Sequence, residues 1–320
     1  MKSGRFQAIT RQYPQLRIAV IGDFCLDRYL EIDPAKAETS IETGLPVHNV
    51  VNVRAQPGGA GTVLNNLVAL GVGQIFPVGF AGEDGEGYEL RGSMAAMPGV
   101  SLDYFIQTRT RQTFTYCKPL ILEAGKPPRE LNRLDKKNWT PTAPAIAEQL
   151  SAQVISVVDK VDAVILLGQE HQQETGVLTP RVLKTLAAVA RSHPQRLMLA
   201  DSRRSLRDYP PAIFKMNATE LSALTGINAN ADISDIAVAA VTLAAVGCPG
   251  ETMNMNMMMN QTPGKRVSKA STVAISDDDA TVAMVNPEDG SVSFFNTANN
   301  QKLATLKTGG EPSSVVIHPD

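Results

Sequence analysis

Carboxylate and amide side chains stand where several apolar runs of this sequence end. Asp23 and Asp27 follow the first run, Asp201 follows a later one, and Asn217 with Glu220 follows another. In open α/β sheets, side chains beyond the carboxyl ends of the strands face the bound ligand. These residues therefore predict a binding site for a polar ligand, although a single aspartate at a strand end is also typical of a cap or a turn.

A glycine-rich segment, Pro-Gly-Gly-Ala-Gly-Thr at residues 57–62, precedes the first long helical pattern. Glycine lets the backbone come close to a ligand, and the N-terminus of a helix favours anions or hydroxyl oxygens. A Gly-Gly pair before a helix is also typical of an ordinary tight turn. The segment alone therefore leaves a ligand-binding and a purely structural interpretation open.

Short apolar runs and helical patterns alternate along the first part of the chain. This alternation is typical of a mostly parallel sheet with helices on both faces. A Thr-Pro pair at residues 179–180 fits an N-cap followed by proline in the first helical position. The predicted strands are residues 17–23, 74–78, 162–167, 196–200 and 213–216, and the predicted helices are residues 60–70, 83–94, 180–192, 220–224 and 234–246.

Two stretches, residues 31–54 and 105–135, interrupt the alternation. They contain strand-like pieces at residues 45–53, 113–118 and 130–134 without helical patterns between them. We interpret them as a small β-flap outside the main sheet. A flap that closes over a site excludes water during chemistry.

Several motifs in this order resemble the ribokinase/phosphofructokinase-B family of sugar kinases, and within it the heptose-7-phosphate kinase branch. The likeness covers roughly residues 15–246. It implies a ribokinase-like α/β fold and phosphate transfer from ATP, with Mg²⁺, to a hydroxyl of a sugar or sugar phosphate. The motifs are GDFCLDRY (22–29), PVHNVV (46–51), PGGAGTVLNNLVALG (57–71), VGFAGEDGEG (78–87), NRLD (132–135) and NATE (217–220).

The resemblance implies a sugar-binding group of residues near the glycine-rich segment. Asp27 would bind sugar hydroxyls, and the backbones of Gly58 and Gly59 would line the sugar pocket. Thr62 stands where the family usually has asparagine. Its hydroxyl donates one hydrogen bond but lacks the reach of an amide.

The resemblance also implies a group that binds the nucleotide. Asn217 and Glu220 match an Asn-x-x-Glu element that helps to place magnesium and the nucleotide phosphates, with Glu220 closest to the metal. Asp201 stands where the heptose kinases have an Asp-Pro-Lys turn. The turn here is Asp-Ser-Arg, so Arg203 would supply the cation that reads a phosphate.

The family's late Gly-Ala-Gly-Asp element, whose aspartate is the catalytic base, does not occur in these 320 residues. The most similar segment, Gly-Ala-Gly-Thr at residues 59–62, has no aspartate. The resemblance therefore implies a carbohydrate kinase without its base, and no residue is assigned to catalysis. The alternatives are a non-catalytic protein that binds a sugar phosphate or nucleotide, and a chimeric fragment of two genes.

The character of the sequence changes at a Met- and Asn-rich stretch, residues 248–264. Beyond it, short strand-like runs are joined by polar turns. The sequence of residues 271–278 matches that of residues 313–320, an offset of 42 residues. Such a period is typical of four-stranded propeller blades. We predict a kinase-like domain at residues 1–247, a linker at 248–264, and an antiparallel β blade with the start of a second at 265–320.

Composition excludes several classes of function. The net charge is −2, which gives no electrostatic case for binding nucleic acid or an anionic membrane, and no apolar run is long enough to span a bilayer. No apolar stretch of signal-peptide type precedes Arg17, and Cys25, Cys117 and Cys248 are far apart. These features favour a cytoplasmic protein with reduced cysteines and no metal site of Cys or His. The family resemblance adds a possible homodimer through the flap.

Overall fold

The computed structural model describes residues 3–226, 228, 273–275, 281–286, 291–296 and 301–308. The chain divides into two compact units, of which the larger is Tyr13–Glu220 and the smaller combines Met1–Gln12 with Leu221–Asp320. The predicted helix at 234–246 and the predicted linker at 248–264 lie outside the described residues. All of the predicted site residues belong to the larger unit.

The larger unit contains two sheets and a short hairpin. Its strands are β1 Arg17–Gly22, β2 Phe24–Ile32, β3 Glu38–Thr39, β4 Pro46–Val47, β5 Val50–Gly59, β6 Gln74–Gly82, β7 Phe105–Thr108, β8 Phe114–Ile121, β9 Arg129–Glu130, β10 Leu134–Lys136, β11 Ala163–Gly168, β12 Leu197–Ser202 and β13 Ile213–Phe214. The helices of the described chain are α1 Ser3–Thr10, α2 Ala60–Ala69, α3 Gly85–Ala95, α4 Pro144–Val158, α5 Pro180–Ser192 and α6 Ala218–Thr225.

The main sheet has six parallel strands in the order β13-β12-β11-β1-β6-β7. Its central strand β1 is buried continuously from Ile18 to Ile21, which shows that both faces of the sheet are covered. Val20 of β1, Leu64 of α2 and Leu90 of α3 belong to one hydrophobic core. The prediction of a mostly parallel sheet is confirmed.

The second sheet forms the flap, in the order β10-β8-β2-β5, with β9 also paired to β8. Strands β2 and β8 are parallel, and the other pairs are antiparallel. The flap begins earlier than predicted, because β2 follows β1 after a single residue and carries Asp27 within it. The predicted flap includes residues 105–108, but Phe105–Thr108 is the edge strand of the main sheet, since it pairs with β6 after the α3 crossover.

Asp84, the N-cap of α3, joins the flap to the main sheet. Its carboxylate accepts hydrogen bonds from the Gly87 amide at 2.8 Å and from the Thr113 amide at 3.0 Å. It also accepts one from Nζ of Lys136 on β10 at 2.9 Å. Burial alone would raise the pKa of Asp84, but a hydrogen bond from the Thr113 hydroxyl at 2.6 Å, together with the three already named, outweighs burial and lowers the pKa to about 2. Asp84 therefore fixes the flap through long-range contacts.

The helix predictions succeed where capping and apolar spacing agree. Thr179 accepts a hydrogen bond from the Val182 amide at 3.4 Å, and α5 runs from Pro180 to Ser192 as predicted. Helix α2 ends before Gly71, whose φ is +78°. Helix α4 has no counterpart in the predictions, although Pro144 in its first turn and the spacing of Ile146, Leu150 and Val154 fit a helix.

No helix within the described ranges combines the length and the apolar character needed to cross a membrane.

The described part of the tail is a small antiparallel sheet. Its strands, β14 Val273–Ile275, β15 Thr281–Asn286, β16 Ser291–Asn296 and β17 Lys302–Lys307, follow one another in space as in sequence. The prediction of a propeller blade with the start of a second is corrected to this small antiparallel sheet, because the described tail residues form one sheet with two edge strands and no second blade closes against it. The predicted second copy at 313–320 lies outside the described residues.

Candidate sugar site

Asp27 and Gly58 meet across neighbouring strands of the flap. Gly58 pairs with Cys25, two residues from Asp27, in the antiparallel register of β2 and β5. A Cβ added to Gly58 would collide with Oδ2 of Asp27, and would lie 2.8 Å from its Cγ and 2.9 Å from Sγ of Cys25. Only glycine therefore lets the carboxylate lie against the backbone of β5, and the predicted grouping of Asp27 with Gly58 is found in the structure.

Gly59 forms the junction between β5 and α2. Its φ is +58°, and an added Cβ would lie 2.5 Å from the carbonyl oxygen of Asp23. The following amide, that of Ala60, donates to the same oxygen at 2.9 Å. The predicted turn at residues 57–62 is thus the end of a strand followed at once by a helix. Thr62 lies exposed in the first turn of that helix.

Asp23 is a structural residue rather than a ligand-facing one. It is only 3% exposed, and its carboxylate accepts from the amides of Gln169 at 2.8 Å, Glu170 at 3.1 Å and Val177 at 2.7 Å. Burial raises the pKa of Asp23, and the three amide hydrogen bonds oppose that shift. The prediction that Asp23 faces a ligand is corrected, because both of its oxygens already hold the loop after β11.

Glu170 and Tyr116 connect the flap to the carboxyl edge of the main sheet. Tyr116 lies beside Asp27 in the parallel register of β2 and β8, and its hydroxyl donates to Oε1 of Glu170 at 3.0 Å. The other oxygen, Oε2, is buried without a hydrogen-bond partner among the described residues. Burial, followed by the charge of Asp23, raises the pKa of Glu170. Glu170 was not predicted, although it follows the apolar run of β11 as Asp201 follows that of β12.

Gln169 links the glycine junction to Arg203. A Cβ on Gly59 would lie 3.5 Å from Cγ of Gln169, and Oε1 of Gln169 accepts from Nε of Arg203 at 3.2 Å. Arg203 is exposed, so the rest of its guanidinium remains open to solvent. Gln169 therefore lies between Arg203 and the glycine junction, a connection that sequence spacing does not reveal.

A small cavity of about 30 Å³ lies between the ends of β11 and β12. Asp23, Glu170, Ser202 and Tyr209 are among its lining residues. This volume holds one or two water molecules and is too small for a sugar. Burial raises the pKa of Tyr209 to about 12, so its hydroxyl stays protonated at neutral pH.

The other predicted nucleotide-binding residues make local contacts. Oδ2 of Asp201 accepts from Nζ of Lys215 at 2.8 Å. The Asn217 amide donates to Oε2 of Glu220 and the Glu220 amide donates to Oδ1 of Asn217, both at 2.8 Å. This reciprocal pair is a capping box at the start of α6. Within the described residues, no group of three His, Cys, Asp or Glu side chains could hold a metal ion.

Solved structures share the fold of this chain. Phosphofructokinase-2 from Escherichia coli in complex with potassium aligns with a TM-score of 0.50 and 15% identity, over 90% of this chain and 78% of that one. The structure of Sa239 aligns with a TM-score of 0.51 and 13% identity, over 90% and 78% of the two chains. At such identities the likeness establishes the fold alone.

Curated proteins are similar to this chain in sequence. The bifunctional protein HldE of Gluconacetobacter diazotrophicus is 29% identical over 235 residues, which are 72% of this chain and 46% of the relative. HldE of Granulibacter bethesdensis is 29% identical over 232 residues, 72% of this chain and 45% of the relative. The chain spans about half the length of these relatives. A family model described as pfkB family carbohydrate kinase matches residues 15–248. This chain therefore belongs to the pfkB family of carbohydrate kinases.

Proposed function

We propose that this chain binds a sugar or sugar phosphate between its flap and the carboxyl edge of its main sheet. The observation that carries the proposal is Asp27 lying against Gly58, where one carboxylate oxygen is held by Lys118 and the other is left for a ligand. A carboxylate accepts hydrogen bonds from sugar hydroxyls, and the partly exposed Gly59, next to the buried Gly58, has no side chain to keep a sugar away. Arg203, held near Gly59 through Gln169, supports a phosphorylated sugar.

The family implies ATP as the phosphate donor, with Mg²⁺. Arg203 fits a nucleotide or substrate phosphate, because its guanidinium is exposed and charged. Glu220 and Asp201 fit a magnesium ion poorly, because Glu220 closes a capping box and Asp201 is neutralised by Lys215. We therefore assign no magnesium ligand in the described residues.

Phosphate transfer needs a base for the acceptor hydroxyl and donors around the transferred phosphoryl group. The Gly-Ala-Gly-Asp element that supplies both in this family is absent from these 320 residues. The 320-residue polypeptide should therefore bind its sugar but show no appreciable kinase activity by itself. Each of these two devices contributes roughly 10²–10⁴-fold in rate, so their loss should be visible in any coupled assay.

Isothermal titration tests the proposal directly. The purified chain is titrated with sedoheptulose 7-phosphate and fructose 6-phosphate, with and without Mg-ATP, and unfolding temperatures are measured in parallel. Saturable binding with a raised unfolding temperature supports the proposal, since a ligand of the native state stabilises it. Absence of binding by every sugar tested would overturn it. ATP-dependent phosphorylation by the same polypeptide would contradict the predicted lack of kinase activity, but it would leave the proposal of sugar binding intact.

Pairing of two copies through the flap is a further part of the proposal. Val50, Val51 and Val53 of the edge strand β5 are 43%, 45% and 46% exposed. Val50 also lines an open depression of about 620 Å³ on the flap together with Leu30 and Ile32. Sedimentation velocity should show a dimer that Val53→Lys converts to a monomer. A monomeric wild-type chain at high concentration would refute the pairing.

A further inference from the structure

Lys118 is the residue through which the flap holds Asp27. It lies on β8 opposite Tyr29 of β2, and its Nζ donates to Oδ1 of Asp27 at 3.0 Å. The side chains of Lys118 and Asp27 are only 19% and 16% exposed. Such a sheltered pair is less screened than a surface ion pair, so its geometry is better defined.

The ammonium group of Lys118 has little capacity left for another anion. Besides Asp27, it donates to the hydroxyl of Tyr29 at 3.4 Å and lies 4.9 Å from the centroid of the Tyr29 ring. A lysine has three N–H donors, two of which are engaged here. This arrangement favours a lysine that orients its neighbour over one that reads a substrate phosphate.

Lys118 also remains charged at neutral pH. Burial lowers its pKa, but the hydrogen bond and charge of Asp27 outweigh burial and raise the pKa above its ordinary value of 10.5. The positive charge of Lys118 is therefore constant through the physiological pH range.

Because Oδ1 of Asp27 is held by Lys118, the carboxylate plane is fixed and Oδ2 rests against Gly58. We propose that Lys118 is a positioning residue of the sugar site, which orients Asp27 so that Oδ2 accepts a hydrogen bond from a sugar hydroxyl. The inference rests on the proposed sugar-binding function. It adds that the flap strand β8 decides the affinity of the site for the sugar itself, whether or not the sugar carries a phosphate.

A double-mutant cycle on ligand affinity tests this role. Lys118→Met, Asp27→Asn and the double variant are titrated with sedoheptulose 7-phosphate and with sedoheptulose. Each single variant should lose about 10- to 100-fold in affinity for both sugars, as expected for a lost hydrogen bond to a charged group. The double variant should be little weaker than either single one, because both changes remove the same interaction. Lys118→Arg should recover most of the affinity.

Controls separate this role from damage to the fold. Lys126→Met removes an exposed flap lysine that pairs with Glu123, and it should leave both affinities unchanged. Circular dichroism and thermal unfolding report whether each variant folds, and Lys118→Gln replaces Lys118→Met in the cycle if the latter does not.

Three outcomes would overturn the inference. If Lys118→Met weakens only the phosphorylated sugar, the lysine reads the phosphate instead. If the two changes are additive, or Lys118→Met has no effect, Lys118 does not act through Asp27. If the wild-type chain binds neither sugar, the proposed function fails and the inference fails with it, a result distinguishable from the other two.

Discussion

The carboxyl edge of the main sheet carries two groups of polar residues that are held in different ways. The flap-side group, Asp23, Asp27, Gly58, Tyr116 and Glu170, is joined by contacts between residues far apart in the sequence. The helix-side group, Asp201, Lys215, Asn217 and Glu220, makes contacts within 14 residues or fewer. The first group is fixed by the whole fold, and the second by local structure.

This difference matters for binding. A site preorganised by long-range contacts does not have to be ordered when the ligand arrives, whereas an exposed local pair can exchange its partners for a ligand at small cost. We therefore expect the sugar half of the site to be rigid and sensitive to substitution. The residues of the helix-side group should tolerate substitution, because their hydrogen bonds are made within a short segment of the chain.

Replacing Asp23 should have the largest effect. Asp23→Asn puts an NH₂ group against at least one of three buried backbone amides, which leaves that amide without an acceptor. The free energy of unfolding should fall by about 2–3 kcal/mol. Urea unfolding measures this change. Asp33→Asn, which alters a half-buried N-cap whose hydrogen bond to the Ala35 amide is local, is the matched control and should cost less than about 1 kcal/mol. Equal losses in the two variants would contradict the long-range role of Asp23.

A methyl group at Gly58 should have the next largest effect. Gly58→Ala pushes the Asp27 carboxylate away from β5, which should cost about 1–3 kcal/mol in stability and reduce sugar affinity more than tenfold. Chemical unfolding and calorimetry report the two losses. The matched control is Gly92→Ala inside α3, where an added Cβ meets nothing within 4 Å. It should stabilise the protein by about 0.5–1 kcal/mol.

The lowered pKa of Asp84 predicts that this residue contributes to the free energy of unfolding in a pH-dependent way. Its pKa is about 2 in the folded chain against an ordinary value of 3.8. Since the folded pKa is the lower one, the contribution is complete above about pH 4 and is lost as the pH falls from about 4 to about 2. After allowance for solvent screening, Asp84→Asn should cost about 1 kcal/mol at pH 7. The difference in free energy of unfolding between this variant and the wild type should become smaller as the pH falls from about 4 to about 2. Asp103→Asn, at an exposed position, should show no such narrowing.

The helix-side group should give the smallest effect. Glu220→Ala removes one half of the capping box and should cost about 0.5–1 kcal/mol. Glu220→Gln keeps the acceptor and should be nearly neutral. Thermal unfolding of the two variants gives the comparison. A loss near that of Asp23→Asn would show that α6 is fixed by more than local contacts, and would remove the distinction between the two groups.

The parallel sheet and most of its helices are predictable from residues near one another. Continuous apolar runs such as residues 17–22 indicate buried strands, and Thr179 with Pro180 indicates the start of a helix because capping is a local interaction. The extent of the flap is not predictable in this way. Nothing local distinguishes Phe105–Thr108, which pairs with the main sheet, from Phe114–Ile121, which pairs with the flap.

The sequence by itself determined the family, the alternation of strands and helices, and the candidates Asp27, Gly58 and Gly59. These depend on motif order, periodicity and the freedom of glycine, all of which are properties of short segments. Only the tertiary structure decided that the carboxylate of Asp23 accepts from three amides, that Lys118 contacts Asp27 and Tyr116 contacts Glu170, and that Asn217 and Glu220 cap a helix. The reason is physical: which partner satisfies a polar group depends on which strands become neighbours, and strand pairing is a property of the whole fold.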